Sequence, residues 1–395
     1  MVKDYDVVIV GAGPAGLSLA QSLAESGLSI AQIDPASYES LKNPDFDGRE
    51  IALTHPSKAL LENLGFWQHL PPDEIHLLKA ASVLNGNSPY RLHFPIPERN
   101  SLGQSIDTLG YLVSNHLIRQ SAFAVVSQHQ NLDFYLERKA LSCGSDESKA
   151  WVKLDDGTVL HAKLLVAADS RFSTIRKQMG IAADTHEFGR SVIVFRLKHT
   201  LPNDHTAREC FFYGSTLALL PLHDHQTNCV VTLDSRHAPE ILQKSPEDLA
   251  YWIESQIQHE LGSMTLSSTV HHYPLVGVHA RHFYTQRTAL IGDAACGMHP
   301  VTAHGFNLGL EGQAILAQLI LRYAAQGKDI GQSALLAEYD RRHQRNTRLL
   351  YHGTNAIVKL FTSEQHPAKA LRHGVLRVAQ SLSPLKRIIS RQLTG

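Results

Sequence analysis

Two glycine-rich stretches carry the residues best suited to bind a phosphorylated cofactor. The first is Gly11-Ala-Gly-Pro-Ala-Gly16, and Asp34 follows Gly16 by eighteen residues. In this GxGxxG pattern Gly11 allows a tight turn, Gly13 lets the backbone approach a pyrophosphate, and Gly16 lets helix and strand pack closely. Asp34 can accept hydrogen bonds from a ribose diol. The stretch is therefore predicted to bind the ADP moiety that FAD and NAD share. The residues assigned to it are Gly11, Gly13, Ala15, Gly16 and Asp34.

The second stretch, from Gly292 to Gly312, places an Asp, a Pro and several glycines between an apolar run and a helical pattern. Asp293 lies where the apolar run ends and can hold a ribose or ribityl hydroxyl, and Pro300 fixes the backbone of the loop. The run Gly305-Phe306-Asn307 opens the next helix, whose amino terminus presents N–H groups and a partial positive charge. That charge suits a reduced isoalloxazine anion. One stretch is therefore predicted to hold the ADP end of FAD and the other its flavin end.

The composition of the chain is that of an ordinary globular protein. Of the 395 residues, 43% are hydrophobic and 19% are charged, and the 37 basic residues match the 37 acidic ones. No net charge therefore favours a nucleic-acid partner. The four cysteines and 24 histidines show neither a disulfide framework nor metal-ligand spacing. No apolar stretch reaches the roughly 18 residues that a membrane-spanning helix requires. We therefore expect a cytoplasmic protein without a metal ion.

The periodicity of apolar residues predicts an α/β fold. A strand over 5–10, a helix over 17–23 and a second strand over 28–33 form a βαβ unit with the first glycine-rich stretch at its turn. Another helix is predicted from Gly110 to Val126. From about residue 188, β-rich pieces separated by polar turns predict a mostly antiparallel sheet inserted into the α/β part. Two long helices, over 307–325 and 333–360, end the fold.

A third motif lies between the two stretches and completes a set that resembles a known family. It is Leu164-Leu-Val-Ala-Ala-Asp169-Ser-Arg-Phe-Ser173-x-x-Arg176, in which a strand again meets an Asp at a turn. Together with Asp47-Gly-Arg49-Glu-Ile-Ala-Leu53 and Leu109-Gly-Tyr-Leu-Val113, the three motifs resemble the group A flavoprotein aromatic hydroxylases. Within that group the chain is most similar to the ubiquinone-biosynthesis hydroxylases, the UbiH/UbiF/VisC group. The resemblance covers about residues 5–360.

The resemblance implies a fold like that of p-hydroxybenzoate hydroxylase. That fold has a Rossmann-like FAD-binding domain, an inserted β-rich substrate domain and C-terminal helices. The expected bounds are 1–75, 104–182 and 283–360 for the FAD-binding domain, 76–103 and 183–282 for the substrate domain, and 361–395 for a basic tail.

The family pattern also implies roles for individual residues. Arg49 would contact the pyrophosphate or the substrate side of the flavin, and Asn115 would reach the phosphates. Asp169 belongs to the motif that touches both FAD and the reduced nicotinamide. Asp293 would hold the ribityl chain. The flavin ring would lie against Gly305, Phe306 and Asn307.

The chain departs from the family pattern at two positions. Ser170 stands where the family usually has Gly, so this turn must tolerate a side chain. The run Thr302-Ala-His304-Gly305 replaces the usual Gly-Gln-Gly, which places His304 close to the expected flavin ring. Since histidine titrates near working pH, His304 is predicted to be a proton donor or a substrate contact. The alternative is that it occupies a loop position without a role in the chemistry.

The resemblance implies a monooxygenase. In the family NAD(P)H binds transiently and reduces FAD, O2 then forms a flavin hydroperoxide, and its distal oxygen is transferred to an electron-rich phenol ring. The implied substrate is a polyprenylated phenol or quinol of ubiquinone biosynthesis. The alternatives are a hydroxylase of a small soluble aromatic acid, a flavin-dependent isoprenoid reductase, and a flavin-binding partner subunit without turnover.

The C-terminal segment has a composition of its own. From Gln365 to Gly395 there are six basic residues and no acidic one, among apolar residues at near-helical spacing. Such a segment can lie on an anionic membrane surface or dock on an acidic partner. A helix packed on its own protein is the alternative. With a lipid substrate, we expect peripheral contact with the inner membrane or with a ubiquinone-biosynthesis complex.

Overall fold

The computed structural model describes residues 2–86, 91–100, 103–212, 214–298 and 304–362. In chain order the strands are β1 (Val2–Val10), β2 (Ile30–Asp34), β3 (Glu50–Leu53), β4 (His76–Leu78), β5 (Ala80–Asn85), β6 (Arg91–Pro95), β7 (Gly110–Ser114), β8 (Leu132–Leu136), β9 (Ala140–Ser145), β10 (Ala150–Leu154), β11 (Val159–Ala167), β12 (Ala183–His199), β13 (Thr206–Phe211), β14 (Ser215–Pro221), β15 (Gln226–Asp234), β16 (Met264–Leu266), β17 (His271–Ala280), β18 (Tyr284–Thr285), β19 (Thr288–Leu290) and β20 (Cys296–Gly297). The α-helices are α1 (Pro14–Leu23), α2 (Tyr38–Lys42), α3 (His55–Asn63), α4 (Asn115–Val126), α5 (Thr174–Gln178), α6 (Ala238–Leu242), α7 (Pro246–Gln256), α8 (His304–Ala325) and α9 (Ser333–Thr362).

The first sheet is built around five parallel strands in the order β19-β11-β1-β2-β8. The antiparallel strands β9, β10 and β18 extend it. Val7, Val8 and Ile9 of the central strand have no accessible surface, because helices cover the sheet. A strand buried on both faces is a continuous apolar run, which explains why β1 is recognisable in the sequence. The βαβ unit predicted there is confirmed.

The helix predicted from Gly110 is wrong over its first five residues. Gly110–Ser114 forms β7, the middle strand of a small sheet with β3 and β4, and the helix begins at Asn115. A Cβ atom at Gly110 would lie 2.5 Å from the carbonyl oxygen of Leu53, so the backbones approach closely there. Pairing with strands far away in the sequence therefore outweighs the local helical pattern.

The second sheet is mostly antiparallel and follows the order β20-β17-β12-β15-β14-β13-β5-β6, with β16 beside β12. The predicted insertion of β-rich structure is confirmed. One face of this sheet packs against α6 and α7 through a cluster of buried side chains that includes Phe195, Leu219 and Ile253. We call the opposite face the inner face. It lies against the segment that precedes β3, since a Cβ atom at Gly48 would contact Val194 and His271.

The two long C-terminal helices close the first sheet. Helix α8 packs on α1, and α9 packs on α8. Tyr339 of α9 is fully buried and donates a hydrogen bond of 2.7 Å to the carbonyl oxygen of Leu290 in β19. Among the described residues no helix is both long and apolar enough to cross a membrane.

Candidate active site

The predicted binding residues lie at the carboxyl ends of four neighbouring parallel strands. Gly11 follows β1, Asp34 ends β2, Asp169 lies two residues after β11, and Asp293 lies three residues after β19. Because the carboxyl ends of parallel strands meet at one edge of a sheet, motifs far apart in the sequence converge there. The two glycine-rich stretches therefore form one site.

The three glycines of the first glycine-rich stretch differ in the space around them. Protein backbone leaves no room for a side chain at Gly11 and Gly16, whereas the space beside Gly13 is open. A Cβ atom at Gly11, where φ is +113°, would lie 2.3 Å from the carbonyl oxygen of Ala168. A Cβ atom at Gly16 would lie 2.1 Å from that of Gly11. At Gly13 a Cβ atom would meet no protein atom within 4 Å. Gly13 also precedes α1 without a side-chain cap, so the helix amino terminus is free to receive an anion.

Asp34 and Ala15 connect this stretch to its surroundings. The Asp34 carboxylate accepts the backbone N–H of Ala12 at 2.6 Å and that of Ala36 at 2.8 Å. Each carboxylate oxygen keeps a lone pair for a ribose hydroxyl. Ala15 lies against the second stretch, because a Cβ atom at Gly292 would be 2.8 Å from the Ala15 Cβ.

The third motif carries a buried acceptor without a partner. Asp169 Oδ2 accepts the backbone N–H of Thr174 at 2.9 Å, whereas Asp169 Oδ1 is buried and has no hydrogen-bond partner within the described structure. Such an atom is expected to meet a donor from a ligand or water. The turn accommodates Ser170, which is exposed and whose Oγ accepts the Phe172 N–H at 3.1 Å.

Arg171 and Arg176 tie the third motif to the second stretch. Arg171 donates to Asp293 Oδ2 at 2.7 and 3.1 Å and to the carbonyl oxygen of Val276 at 3.0 Å. The buried Arg176 donates to the carbonyl oxygens of Ala294 at 2.9 Å and Arg171 at 3.0 Å. Asp293 is therefore held in place, and its carboxylate is 40% exposed toward the site.

A polar cluster lies beside the strand edge in the segment that precedes β3. Asp47 pairs with Arg49 at 2.6 Å, and Asn115 donates to the same carboxylate oxygen at 2.7 Å. Tyr273 of the second sheet donates to the Asp47 carbonyl at 2.8 Å, and the Arg49 guanidinium lies over its ring. Burial opposes ionisation of Asp47, but the charge and hydrogen bonds of Arg49 and the bond from Asn115 outweigh it and lower the pKa. The Arg49 side chain is half exposed.

Beneath this cluster a buried ion pair joins the small sheet to the second sheet. Glu50 has no exposed side-chain surface and pairs with Arg196 of β12 at 2.6 Å. Ser114 donates to both Glu50 oxygens and accepts from Arg196. Burial raises the pKa of Glu50 although Arg196 and Ser114 oppose it. Removing one partner of such a pair leaves an uncompensated buried charge, so the pair fixes the position of the Asp47–Glu50 segment.

The start of α8 is anchored by Asn307. Its Nδ2 donates to the Ala52 carbonyl at 2.9 Å, and its Oδ1 accepts the Thr54 N–H at 3.2 Å. Phe306 packs partly buried against the main core, and His304 begins the helix. Asn307 therefore positions the helix terminus, and Gly305 leaves it accessible. Pro300 lies outside the described residues.

Sequence reasoning missed the partners of the predicted residues. Arg171 stands two positions after Asp169 in the quoted motif, and Asp47 stands two positions before Arg49, so their spacing was available as a signal. Arg196 gave no signal, because it pairs with Glu50 across 146 residues. The thiol of Cys296 is buried, which raises its pKa to about 12. Within the described part of the chain no group of three His, Cys, Asp or Glu residues is arranged to hold a metal ion.

These features fit FAD. The open Gly13 cradle and the α1 terminus suit a pyrophosphate, Asp34 suits the ribose, and the orphaned Asp169 Oδ1 and the oriented Asp293 suit the hydroxyl-rich remainder. A family model described as an FAD binding domain matches residues 4–352. The p-nitrophenol 4-monooxygenase PnpA from Pseudomonas putida DLL-E4 has the same fold, with a TM-score of 0.78 at 16% identity over 100% of this chain and 99% of that one. Fold and site define an FAD-dependent monooxygenase.

Similar proteins of known function indicate which FAD-dependent monooxygenases this chain is related to. Ubiquinone hydroxylase UbiM of Neisseria meningitidis serogroup C is 51% identical over 390 residues, which cover 99% of this chain and 84% of the relative. Ubiquinone hydroxylase UbiL of Rhodospirillum rubrum is 31% identical over 393 residues, which cover 100% of this chain and 90% of the relative. The chain belongs to the FAD-dependent ubiquinone hydroxylase family. The resemblance stated from the motifs, the cofactor FAD and the enzyme class are thereby confirmed.

Proposed function

We propose that the protein hydroxylates the aromatic ring of a polyprenylated phenol or quinol intermediate of ubiquinone biosynthesis, using O2 and electrons from NAD(P)H. The observation that carries this proposal is the 51% identity to a ubiquinone hydroxylase along 99% of the chain. The partly buried apolar side chains on the inner face of the second sheet also support it.

The inner face presents apolar side chains that are not fully packed, which suits an apolar ring. Ala218, Leu220 and Val230 of this face are only partly buried, whereas Leu217 and Leu219, which alternate with them on β14, are buried against the outer helices. One face of the sheet is thus packed and the other is partly open. Because the inner face also meets the Asp47–Glu50 segment, an aromatic substrate on it would lie next to the flavin site.

The predicted binding residues have distinct tasks in this proposal. The amino terminus of α1 and Arg49 bind the pyrophosphate, Asp34 binds the ribose, and Asp293 binds the ribityl chain. Asn115 holds Asp47, which in turn orients Arg49. When bound and reduced by NAD(P)H, FAD would activate O2, of which one atom enters the ring and the other leaves as water. The protein excludes water, orients the phenol ring on the inner face and assists the loss of its proton.

His304 is proposed to take part in the chemistry as a proton donor or substrate contact. It begins α8, three residues before Asn307, and is partly accessible. This position is consistent with a side chain near the flavin ring. A neutral imidazole and its protonated form both exist near neutral pH, which suits either role.

The proposed division into domains follows the sheets. All strands of the first sheet lie within 1–75, 104–182 and 283–360, the segments proposed for FAD binding. Most strands of the second sheet lie within 76–103 and 183–282. Two strands depart from this division. Strand β4 lies in the segment proposed for the substrate domain but pairs with β7 in the small sheet, and β20 lies in the segment proposed for FAD binding but pairs with β17 in the second sheet.

We also propose that the basic tail brings the enzyme to its lipid substrate, by contact with an anionic membrane surface or with an acidic protein of the pathway. The proposal is based on the six basic residues of 365–395 and on the apolar residues among them. The tail lies outside the described residues. A polyprenylated substrate partitions into the bilayer, so a peripheral contact would raise its local concentration.

Turnover of a prenylated phenol tests the proposed function. The purified holoenzyme is incubated with NADPH or NADH, O2 and a short-chain prenylated phenol, and the product is analysed by mass spectrometry. The expected result is a product heavier by one oxygen atom, with labelled oxygen incorporated from 18O2. A small aromatic acid serves as the competing substrate. Hydroxylation of the acid but not of the prenylated phenol would contradict the proposal.

A further inference from the structure

A carboxyl group lies on the inner face among apolar side chains. Glu209 of β13 stands opposite Ala218 of β14 and Val83 of β5. In the next strands the same row continues through Val230 and Val194. Residues directly opposite each other point to the same face of a sheet, so Glu209 shares a face with Val194, which contacts the Gly48 position.

Among the residues that the structure describes, none forms an ion pair with Glu209. Its Oε1 atom is buried and has no hydrogen-bond partner within the described residues. The neighbours facing it from β5 and β14 carry no charge, and the flanking Arg208 and Cys210 point to the opposite face, where Cys210 joins the outer cluster. The titratable groups on the inner face stand on strands farther along the sheet, and they include Asp234 of β15, Arg190 and Arg196 of β12, and Tyr273 and His271 of β17.

Other carboxylates of this part of the protein, unlike Glu209, form ion pairs with arginine. Glu260, close to the same strands, pairs with both Arg91 and Arg208. Glu50 is paired with Arg196. A buried carboxyl without a partner costs free energy unless something else satisfies it. The Glu209 residue is also partly accessible, so a bound molecule can reach its carboxyl group.

We propose that Glu209 is a catalytic residue that binds the ring hydroxyl of the substrate and accepts its proton. This inference rests on the proposed function, because it requires a phenol on the inner face. Gly48 lies beside Val194, three strands from Glu209, which corresponds to about 14 Å at about 4.8 Å per strand. That span accommodates an aromatic ring with its hydroxyl toward Glu209 and its opposite edge toward the flavin site.

The proton transfer is balanced within the site. The phenol O–H bond breaks, a new O–H bond forms on the Glu209 carboxylate, and the electron pair stays on the phenolate oxygen. The phenolate is the more nucleophilic form, so its ring carbon would react more readily with the oxygen that the cofactor activates. Burial raises the pKa of Glu209 from 4.5 to about 8, which brings the base closer to the phenol than an ordinary carboxylate. Proton transfer is most efficient when the pKa of the base lies near the operating pH.

The test compares the wild type with Glu209→Gln, which keeps the shape of the side chain but does not accept a proton. Glu240→Gln, at an exposed position of α6, is the matched control. Hydroxylation of a prenylated phenol is measured under single-turnover conditions at several pH values. Wild type and control are expected to accelerate with rising pH up to about 8. Glu209→Gln is expected to be at least about 100-fold slower, within the range for general base catalysis, and to lack this rise.

A second substrate tests whether Glu209 acts as a base or only stabilises the structure. A polyfluorinated or nitrated prenylated phenol ionises at much lower pH than its parent, so above neutral pH it is largely ionised without a base and should be hydroxylated by Glu209→Gln at nearly the wild-type rate. Equal losses with both phenols, or a wild-type pH profile in the variant, would overturn the assignment. Spectral titration of the bound nitrophenol gives a readout without turnover, since its ionisation should shift when Glu209 is replaced. A wild-type enzyme that hydroxylates no prenylated phenol contradicts the proposed function instead, and this titration still tests Glu209.

Discussion

Arg171 Nη2 lies 2.7 Å from Asp293 Oδ2, although the two residues are 122 positions apart. The pair connects the turn after β11 to the turn after β19, and Arg176 reinforces the connection through the carbonyl oxygen of Ala294. Two of the four strand ends that form the cofactor site are thereby locked together. The acceptor proposed for the ribityl chain is thus oriented by residues of the motif that, in the family, also meets the nicotinamide.

Replacing Gly13 tests the first loop. The Gly13→Val variant should fold, because a Cβ atom there meets no protein atom within 4 Å, but its side chain would occupy the space of the pyrophosphate. We expect colourless protein with an unchanged circular dichroism spectrum. Gly353→Val, at another open and exposed glycine, should stay yellow. Stoichiometric FAD in the Gly13 variant would remove this loop from the site.

Asp293→Ala tests the second stretch. A hydrogen bond to a charged acceptor contributes about 1.5–3 kcal/mol, so the dissociation constant of FAD should rise roughly 10- to 150-fold. Fluorescence titration of apoprotein with FAD measures the change. The exposed Arg281–Asp184 pair provides the control variant Asp184→Ala, whose FAD affinity should equal that of the wild type. An unchanged affinity in folded Asp293→Ala would assign Asp293 to holding Arg171 alone.

The sequence predicts the cofactor loops well, because each depends on a local pattern. Glycines and an Asp at the end of an apolar strand are sufficient to place Gly11, Asp34, Asp169 and Asp293 at one sheet edge once the strands are parallel. The individual contacts of these residues with FAD stay predictions. The resemblance contributed the order of the motifs and the identity of the cofactor.

Contacts between strands that are far apart in the sequence cannot be predicted from local patterns. The local pattern at Gly110–Ser114 predicts a helix, whereas the strand β7 forms there because it pairs with β3 and β4, which lie at other positions along the chain. The Glu50–Arg196 pair spans 146 residues. The position of Glu209 on the inner face follows only from the register of β13 with β14, β15 and β12. Sequence periodicity gives the alternation of a strand but not the face that meets the cofactor.

His304→Ala tests the departure from the family loop. If His304 takes part in the chemistry, the variant should keep FAD but hydroxylate less efficiently, while more NAD(P)H oxidation ends in hydrogen peroxide. Both quantities are measured as the ratio of product to NAD(P)H consumed. His282→Ala, at an exposed position between β17 and β18, is the control. Wild-type turnover and coupling in His304→Ala would assign His304 to an ordinary loop position.

The raised pKa of Glu209 has a consequence for stability. Its pKa is about 8 in the folded protein and near 4.5 when exposed, so below about pH 4.5 both states are protonated and ionisation costs nothing. Between these values the unfolded state loses its proton first, and the free energy of unfolding falls as pH rises toward 8. Thermal midpoints should therefore decline less in Glu209→Gln than in the wild type between about pH 5 and 8. Parallel curves for the two proteins would contradict a buried, unpartnered carboxyl.

Removing the basic tail tests the proposed membrane contact. Each Lys or Arg near an anionic surface contributes about 1 kcal/mol, and salt screens this attraction. Full-length protein should therefore sediment with anionic vesicles at low salt and dissociate as salt is added, whereas a chain ending at Glu364 should stay in the supernatant. Neutral vesicles of the same chain composition serve as the control. Turnover of a short-chain prenylated phenol should be equal in both forms, because the tail is proposed to act on location and not on the chemistry. Equal vesicle binding by both forms, or none by either, would remove the membrane role and leave the hydroxylase function intact.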